Sequence, residues 1–180
     1  MLIEVRPRAL SRRGLLRSTL AALSLAGGAH GAQAAGTSMS ASSISAHSYH
    51  STLFGARRDY KVYLPVGYAA SGLRYPVIYL LHGRGDSLSA WGRNKAMFDE
   101  LIATGKIPPV VLIFPDAPSS NRGNYYVDSA YTGAPPGAKV ETEFMRELIP
   151  HVDATYRTIA NRAARAVGGY SMGGYGALRY

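Results

Sequence analysis

The chain has 180 residues, of which 47% are apolar and 17% charged, so it is long enough for one domain with a buried core. This balance excludes an intrinsically disordered chain. The formal charge is +9, but five arginines lie in the first 34 residues and the later basic residues are scattered. Because no basic stripe is interleaved with aromatic residues, nucleic-acid binding is not expected. The absence of cysteine excludes disulfides and thiolate metal sites.

Residues 1–34 have the pattern of an export signal. An arginine-rich start precedes an apolar run over residues 18–29 and the small-residue site Ala32-Gln33-Ala34, after which cleavage is expected. The string Ser11-Arg12-Arg13-Gly14-Leu15-Leu16-Arg17 resembles the twin-arginine motif, and an ordinary secretory leader is the alternative. The apolar run is shorter than the about 20 residues that a transmembrane helix needs. The sequence therefore predicts export from a bacterial cytoplasm, periplasmic or secreted, with no stable membrane insertion after cleavage.

The next residues predict a linker and the first strands. Residues 35–50 are rich in serine and are predicted to form a flexible linker before a domain that spans residues 51–180. Residues 51–54 and 60–64 are strand candidates that resemble an opening antiparallel pair. Residues 76–81 are apolar without alternation, which is typical of a strand buried on both faces.

The later elements alternate between helix and strand. Residues 91–104 predict a helix, residues 109–114 a strand, and a further helix begins at Val140 with a kink or split at Pro150. Residues 164–168 predict a last strand. Strands that alternate with helices favour parallel pairing, so the sequence predicts an α/β fold.

The last strand candidate leads into a G-x-S-x-G pentapeptide, Gly169-Tyr170-Ser171-Met172-Gly173, which a helix-compatible segment follows. This context indicates a nucleophile elbow, in which Ser171 has a strained backbone and its neighbours at Gly169 and Gly173 must be small. The amide of Met172 would then lie at a helix N-terminus, where it can donate to an oxyanion. The pattern predicts acyl transfer, and the alternative is a Gly/Ser loop that serves only as a turn.

Four strings are specific when taken together. They are Tyr75-Pro76-Val77-Ile78-Tyr79-Leu80-Leu81-His82-Gly83, Tyr126-Val127-Asp128-Ser129, Glu147-Leu148-Ile149-Pro150 and Gly169-Tyr170-Ser171-Met172-Gly173-Gly174-Tyr175-Gly176-Ala177. Through them the chain resembles the esterase D-like group of α/β-hydrolases, which includes feruloyl esterases, S-formylglutathione hydrolases and secreted mycolyltransferases. The resemblance implies an α/β-hydrolase fold, a mostly parallel sheet with helices on both faces, truncated after the nucleophile elbow.

The same resemblance implies a role for several residues. Ser171 would be the nucleophile, and the backbone amides of Met172 and Arg84 would form the oxyanion hole. In this fold the triad acid and histidine follow the nucleophile in the chain. The chain ends at Tyr180, nine residues beyond Ser171, so we expect it to be the N-terminal part of an esterase that lacks both partners.

Three further residues are candidates for substrate contact: His82, Tyr126 and Asp128. The alternative for His82 is a structural role at the start of the loop that contains Arg84, here called the oxyanion loop. The alternative for Asp128 is that it caps a turn. Tyr126 belongs to a long aperiodic segment, residues 119–138, of the kind that is often functional. Its tyrosines are candidates to line an aromatic acyl pocket, with a packed surface as the alternative.

The residues and the resemblance together predict an exported serine carboxylesterase that acts through an acyl-serine intermediate. Its substrate would be a small-molecule or carbohydrate-linked ester, such as a feruloyl or acetyl ester. The histidines and acids show no metal-ligand spacing and no glycine-rich phosphate loop precedes a lysine, so neither a metal nor a cofactor is expected. A serine peptidase of the prolyl-oligopeptidase type and a non-catalytic, truncated hydrolase-like binding protein remain the alternatives.

Overall fold

The computed structural model describes residues 40–117, 125–130 and 139–180. The predicted export signal and the first part of the predicted linker lie outside these residues. Five strands are present in the described part: β1 (Ser43–Ser51), β2 (Ala56–Leu64), β3 (Val77–Leu81), β4 (Val111–Pro115) and β5 (Arg165–Gly169). They form one sheet in the order β1-β2-β4-β3-β5.

The sheet is mixed rather than mostly parallel. β3 pairs in parallel with β4 and β5, whereas β2 pairs antiparallel with β1 and β4. β1 and β2 are joined by a tight turn, and two strands joined in this way can only run antiparallel. The parallel part is the one that ends at Ser171, because β5 leads directly into that residue.

The helices fall in the order that the sequence predicts. A 3₁₀ turn at Gly92–Asn94 leads into α1 (Lys95–Ala103), in agreement with the helix predicted over residues 91–104. After β4 come α2 (Val140–Glu143), a π-helical segment (Phe144–Leu148) and α3 (Ile149–Thr155). A second 3₁₀ turn, Arg162–Ala164, precedes β5, and α4 (Met172–Arg179) follows Ser171.

The helix predicted to kink or split at Pro150 remains helical there but changes form just before it. It stands in the first turn of α3, where the missing proline N–H costs least. The turn before it widens into the π-helical segment Phe144–Leu148, the form in which an α-helix absorbs a local irregularity.

The prediction for the first strand is wrong. Residues 43–50, predicted as a flexible linker, form most of β1. Residues 52–54, predicted as part of a strand, lie in the turn between β1 and β2. β1 pairs with β2 along its whole length, from Ser43 opposite Leu64 to Ser51 opposite Ala56. Because β1 is an edge strand held mainly by backbone hydrogen bonds, its serine-rich composition says little about its structure.

The core lies on both faces of the sheet. Val62 of β2 belongs to one apolar cluster, together with Phe144 and Leu148 of the π-helical segment. The next residue, Tyr63, points to the opposite cluster, which contains Phe98 of α1. Helices therefore cover both faces, as the resemblance implies. None of the helices in the described residues is long and apolar enough to cross a membrane.

Candidate active site

Ser171 lies in the turn between β5 and α4, in a backbone conformation that few residues other than glycine adopt. Its φ is 53° and its ψ is −120°. The residue is exposed, and within the described residues its side chain makes no capping hydrogen bond to α4. Met172 is the first residue of α4, so its amide has no intrahelical acceptor. The arrangement leaves a hydroxyl and a helix N-terminal amide side by side.

The glycines on either side of Ser171 allow the turn to pack directly on the sheet. A Cβ on Gly169 would lie 2.5 Å from the backbone of Gly173 and 2.9 Å from the carbonyl oxygen of Leu81. A Cβ on Gly173 would lie 2.6 Å from the carbonyl carbon of Leu81 and 2.8 Å from the carbonyl oxygen of His82. The prediction that both positions must be small is confirmed.

The predicted oxyanion loop lies against this turn. Residues 83–86 form a β-turn closed by the amide of Asp86, which donates to the carbonyl oxygen of Gly83 at 3.2 Å. Gly85 occupies the third position with a φ of +77°, which favours glycine. The ring of Tyr170, the residue before Ser171, packs on Gly83. The structure therefore brings the turn that contains Arg84 next to the elbow, while the oxyanion role of the Arg84 and Met172 amides stays a prediction.

His82 is buried, with only 3% of its surface exposed, and both ring nitrogens have partners. Nδ1 donates to the carbonyl oxygen of Gly83 at 2.8 Å, and Nε2 accepts from the amide of Ala117 at 3.0 Å. Burial lowers the pKa of His82, but Asp116, whose Oδ1 lies 3.6 Å from Nε2, and the Gly83 carbonyl raise it overall. Because the amide donor is closer than the carboxylate, a neutral ring fits this geometry best. The arrangement favours the structural role over substrate contact.

Tyr126 is also buried, and it holds the end of β3 in place. Its hydroxyl accepts from the amide of His82 at 3.0 Å and donates to the His82 carbonyl oxygen at 3.2 Å. Its ring packs against Gly176 of α4, where a Cβ would lie 2.7 Å from the Tyr126 Cβ. Tyr126 therefore supports α4 and the end of β3 from the interior of the domain, and it does not line an acyl pocket.

Tyr125 has the opposite orientation. It is 43% exposed, and its ring meets the ring of Tyr175 edge-on at a centroid distance of 5.8 Å. Tyr175 lies in the first turn of α4 and is 52% exposed. Of the tyrosines predicted to line an acyl pocket, Tyr125 is the one in the described residues with an exposed ring, and Tyr131 lies outside those residues.

Asp128 caps the start of α2. Its Oδ1 accepts from the amide of Thr142 at 3.0 Å, and its Oδ2 accepts from the Thr142 hydroxyl at 2.5 Å. Burial raises the pKa of Asp128, but these hydrogen bonds outweigh it and lower the pKa overall. The geometry is that of the turn cap, and the predicted contact with the substrate stays a prediction.

Backbone strain is concentrated around the elbow. Within the described residues, the non-glycine residues with positive φ are Tyr125, Tyr126 and Ser171. The first two contact Tyr175 and Gly176, the residues of α4 that follow the nucleophile turn. Strain of this kind persists where the surrounding structure enforces it, which is common at active sites. Sequence patterns gave no signal for Tyr125 and Tyr126, because neither residue type suggests a positive φ.

The described residues contain no group of three histidine, aspartate or glutamate side chains that could hold a metal ion.

Comparison with known proteins places these features in a family. The family model described as "Putative esterase" matches residues 51–180. The chain is 33% identical over 136 residues to an esterase of Mycobacterium tuberculosis, covering 73% of this chain and 27% of that protein. It is 34% identical over 127 residues to an endo-1,4-beta-xylanase/feruloyl esterase of Xylanibacter ruminicola, covering 67% of this chain and 17% of that protein.

A solved structure of a ferulic acid esterase superposes with a TM-score of 0.67 at 31% identity. It covers 78% of this chain and 53% of the esterase chain. The match confirms the predicted α/β-hydrolase fold. The chain thus spans about half of the solved esterase and about a quarter of the Mycobacterium protein.

Proposed function

Because the chain belongs to this esterase family, we propose that it carries the nucleophile of an exported carboxylesterase, with Ser171 as the residue that takes the acyl group. The observation that supports the proposal best is the backbone of Ser171, which presents an exposed hydroxyl at the junction of β5 and α4. Backbone strain of this kind clusters at active sites.

The chemistry proceeds in two steps. The Ser171 oxygen forms a bond to the carbonyl carbon of the ester while its proton passes to a base, and the alcohol leaves with that proton. Water then attacks the acyl-serine, the carboxylic acid leaves and the Ser171 hydroxyl is restored. We place the acid and the base after Ser171 in the complete protein, which is their chain order in this fold.

The negative charge that develops on the carbonyl oxygen needs donors fixed in advance. We assign this role to the amides of Met172 and Arg84. Met172 supplies the first amide of α4, directly after the nucleophile, and Arg84 the amide within the turn at residues 83–86, on which the ring of Tyr170 packs. Loss of one such donor costs about 10²- to 10³-fold in rate in enzymes of this kind.

The proposed substrate is an ester of an aromatic acid or acetic acid linked to a carbohydrate or a small alcohol. The likeness to a ferulic acid esterase and to a xylanase/feruloyl esterase supports an aromatic acyl group. The exposed rings of Tyr125 and Tyr175 beside the elbow offer a surface for such a group. Export through a twin-arginine or secretory leader is supported by the pattern of residues 1–34.

Hydrolysis by the protein as its source cell makes it tests the proposal. Wild type and Ser171→Ala are compared on nitrophenyl acetate, methyl ferulate and a peptide anilide, with circular dichroism to establish that both are folded. We expect ester hydrolysis in wild type and none above background in Ser171→Ala. Undiminished turnover in the variant contradicts the proposed nucleophile, and a wild-type preference for the anilide supports the peptidase alternative.

A further inference from the structure

Building on the proposed function, we infer that Tyr170 is a positioning residue for the oxyanion hole. Its side chain holds both ends of the turn at residues 83–86, and the Arg84 amide lies between those ends. Tyr170 directly precedes Ser171 in the chain, so one side chain links the position of the nucleophile to the position of the oxyanion donor.

The ring of Tyr170 holds the first residue of the turn. A Cβ on Gly83 would lie 2.5 Å from Cε2 of Tyr170 and 3.1 Å from its Cδ2, so ring and backbone are in direct contact. The ring of Tyr170 also packs against the ring of Trp91, at a centroid distance of 5.6 Å and an interplanar angle of 67°. Trp91 in turn donates from Nε1 to the carbonyl oxygen of Leu81 at 3.0 Å, at the end of β3.

The hydroxyl of Tyr170 holds the last residue of the turn. It donates to Oδ2 of Asp86 at 2.6 Å, while Oδ1 of Asp86 accepts from the amide of Ser87 at 2.9 Å. Arg93 lies 3.3 Å from Oδ2 and supplies a positive charge. The hydrogen bond from Tyr170 lowers the pKa of Asp86, which supports an ionised carboxylate as the acceptor at neutral pH.

The hydrogen bond between Tyr170 and Asp86 lies near solvent, which distinguishes a positioning role from a role in folding. Tyr170 is 40% exposed, and the side chain of Asp86 is 28% exposed. A hydrogen bond near solvent adds little to the stability of a domain, because water replaces it when it is lost. The same bond fixes the Arg84 amide relative to Ser171, and a misplacement of about 1 Å in an active site costs about 10²-fold in rate.

The test uses Tyr170→Phe, Asp86→Asn and the double variant in the protein as its source cell makes it. Active sites are titrated with a fluorophosphonate, and kcat per titrated site is measured with KM on nitrophenyl acetate. We expect each single variant to lower kcat about 10- to 100-fold with little change in KM, since the lost contact acts on the transition state. The double variant should be no slower than the slower single variant, because Tyr170→Phe removes the donor and Asp86→Asn removes the carboxylate acceptor of the same hydrogen bond.

Two substitutions serve as matched controls. Asp59→Asn removes an exposed aspartate with an arginine partner, and Tyr49→Phe removes the hydroxyl of a tyrosine on β1, away from the elbow. Both should retain the wild-type kcat. A structural role for Tyr170 would lower the number of titrated sites and leave kcat per site unchanged.

The outcomes separate this inference from the proposed function. If Tyr170→Phe and Asp86→Asn retain the wild-type kcat while Ser171→Ala is inactive, the positioning role is wrong and the nucleophile stands. If Ser171→Ala remains active, the proposed function fails. If Tyr170→Phe does not fold, Asp86→Asn tests the same hydrogen bond from the acceptor side.

Discussion

The two edges of the sheet, at β5 and at β1, are held in place by different kinds of contact. At the β5 end, the elbow packs on β3 through bare backbone: Gly169 and Gly173 touch each other and the carbonyl of Leu81 with no side chain between them. At the β1 end, the turn between β1 and β2 is held by a side chain, Glu147 of the π-helical segment. The elbow thus depends on two glycines, which have no side chain, whereas the hairpin depends on the side chain of Glu147.

Glu147 accepts hydrogen bonds from four groups of the hairpin. These are the hydroxyl of Ser51, the amide and hydroxyl of Thr52 and the amide of Leu53. If these contacts are lost, water can reach the donors of Thr52 and Leu53, which are exposed, whereas Ser51 is buried. A substitution at the hairpin should therefore cause a moderate loss of stability. An added methyl group at the elbow should cause a larger loss, because it would overlap closely packed backbone atoms.

The largest effect is expected for Gly173→Ala. Its Cβ would lie 2.6 Å from the carbonyl carbon of Leu81 and 2.8 Å from the carbonyl oxygen of His82. Such overpacking against backbone should cost about 3 kcal/mol of unfolding free energy, measured by urea denaturation. Gly72→Ala is the matched control, because a Cβ there meets nothing within 4 Å, and it should leave the free energy almost unchanged. Equal stability of the two variants would contradict the close packing of the elbow.

A smaller effect is expected for Glu147→Ala. The hydrogen bonds to a charged group that this change removes should cost about 2 kcal/mol of unfolding free energy. The matched control is Glu100→Ala on α1, an exposed residue for which the structure records no side-chain hydrogen bond in the described part. Because the hairpin lies at the far edge of the sheet from β5, the activity per folded molecule should stay at the wild-type level. Loss of activity in a folded Glu147→Ala protein would show that the two ends are coupled.

The smallest effect is expected from acidification, through protonation of His151, a residue of α3 whose ring packs against Tyr49 of β1. Burial and the neighbouring His47 lower the pKa of His151, whose ring stacks on Tyr49 at 5.0 Å. Below its ordinary pKa of 6.5 the unfolded chain takes up a proton that the folded chain resists, so stability is lost as the pH falls through this range. Solvent screening should keep the loss below about 1 kcal/mol.

Thermal unfolding at pH 7.5 and pH 5.5 checks this prediction. Burial raises the pKa of Glu143 to about 8, so acidification acts through that group in the opposite direction, and the contribution of His151 is measured by comparison with a variant. Relative to its own Tm at pH 7.5, His151→Asn should have a higher Tm at pH 5.5 than wild type has. The same difference between the two Tm values in His151→Asn as in wild type would exclude this histidine as a contributor.

The elbow could be predicted from the sequence because each requirement there is local. A strained serine needs small residues two positions away on each side, so the pattern of Gly169, Ser171 and Gly173 is enough to predict the turn. The strand β4 could be predicted for a similar reason, since it is buried at all five positions and a strand buried on both faces is a continuous apolar run. β3 is apolar at every position as well, although the structure buries only alternate residues of it.

The rest depends on contacts between distant residues. β1 is defined by its register with β2, and nothing in its serine-rich sequence shows that a partner strand is available. The hydrogen bond between Tyr170 and Asp86 joins residues 84 positions apart, and neither residue stands out by type. The capping role of Asp128 and the burial of His82 likewise follow from where Thr142 and Ala117 lie in the fold.

The central claim is that Ser171 is an activated nucleophile, and covalent labelling tests it most directly. The protein as its source cell makes it is treated with a fluorophosphonate, and its intact mass and peptide map are measured beside those of Ser171→Ala. We expect one adduct per molecule, located on Ser171 and absent from the variant, because labelling needs a hydroxyl with base assistance. A folded wild-type protein that takes up no label, or takes it up at another residue, would contradict the assignment.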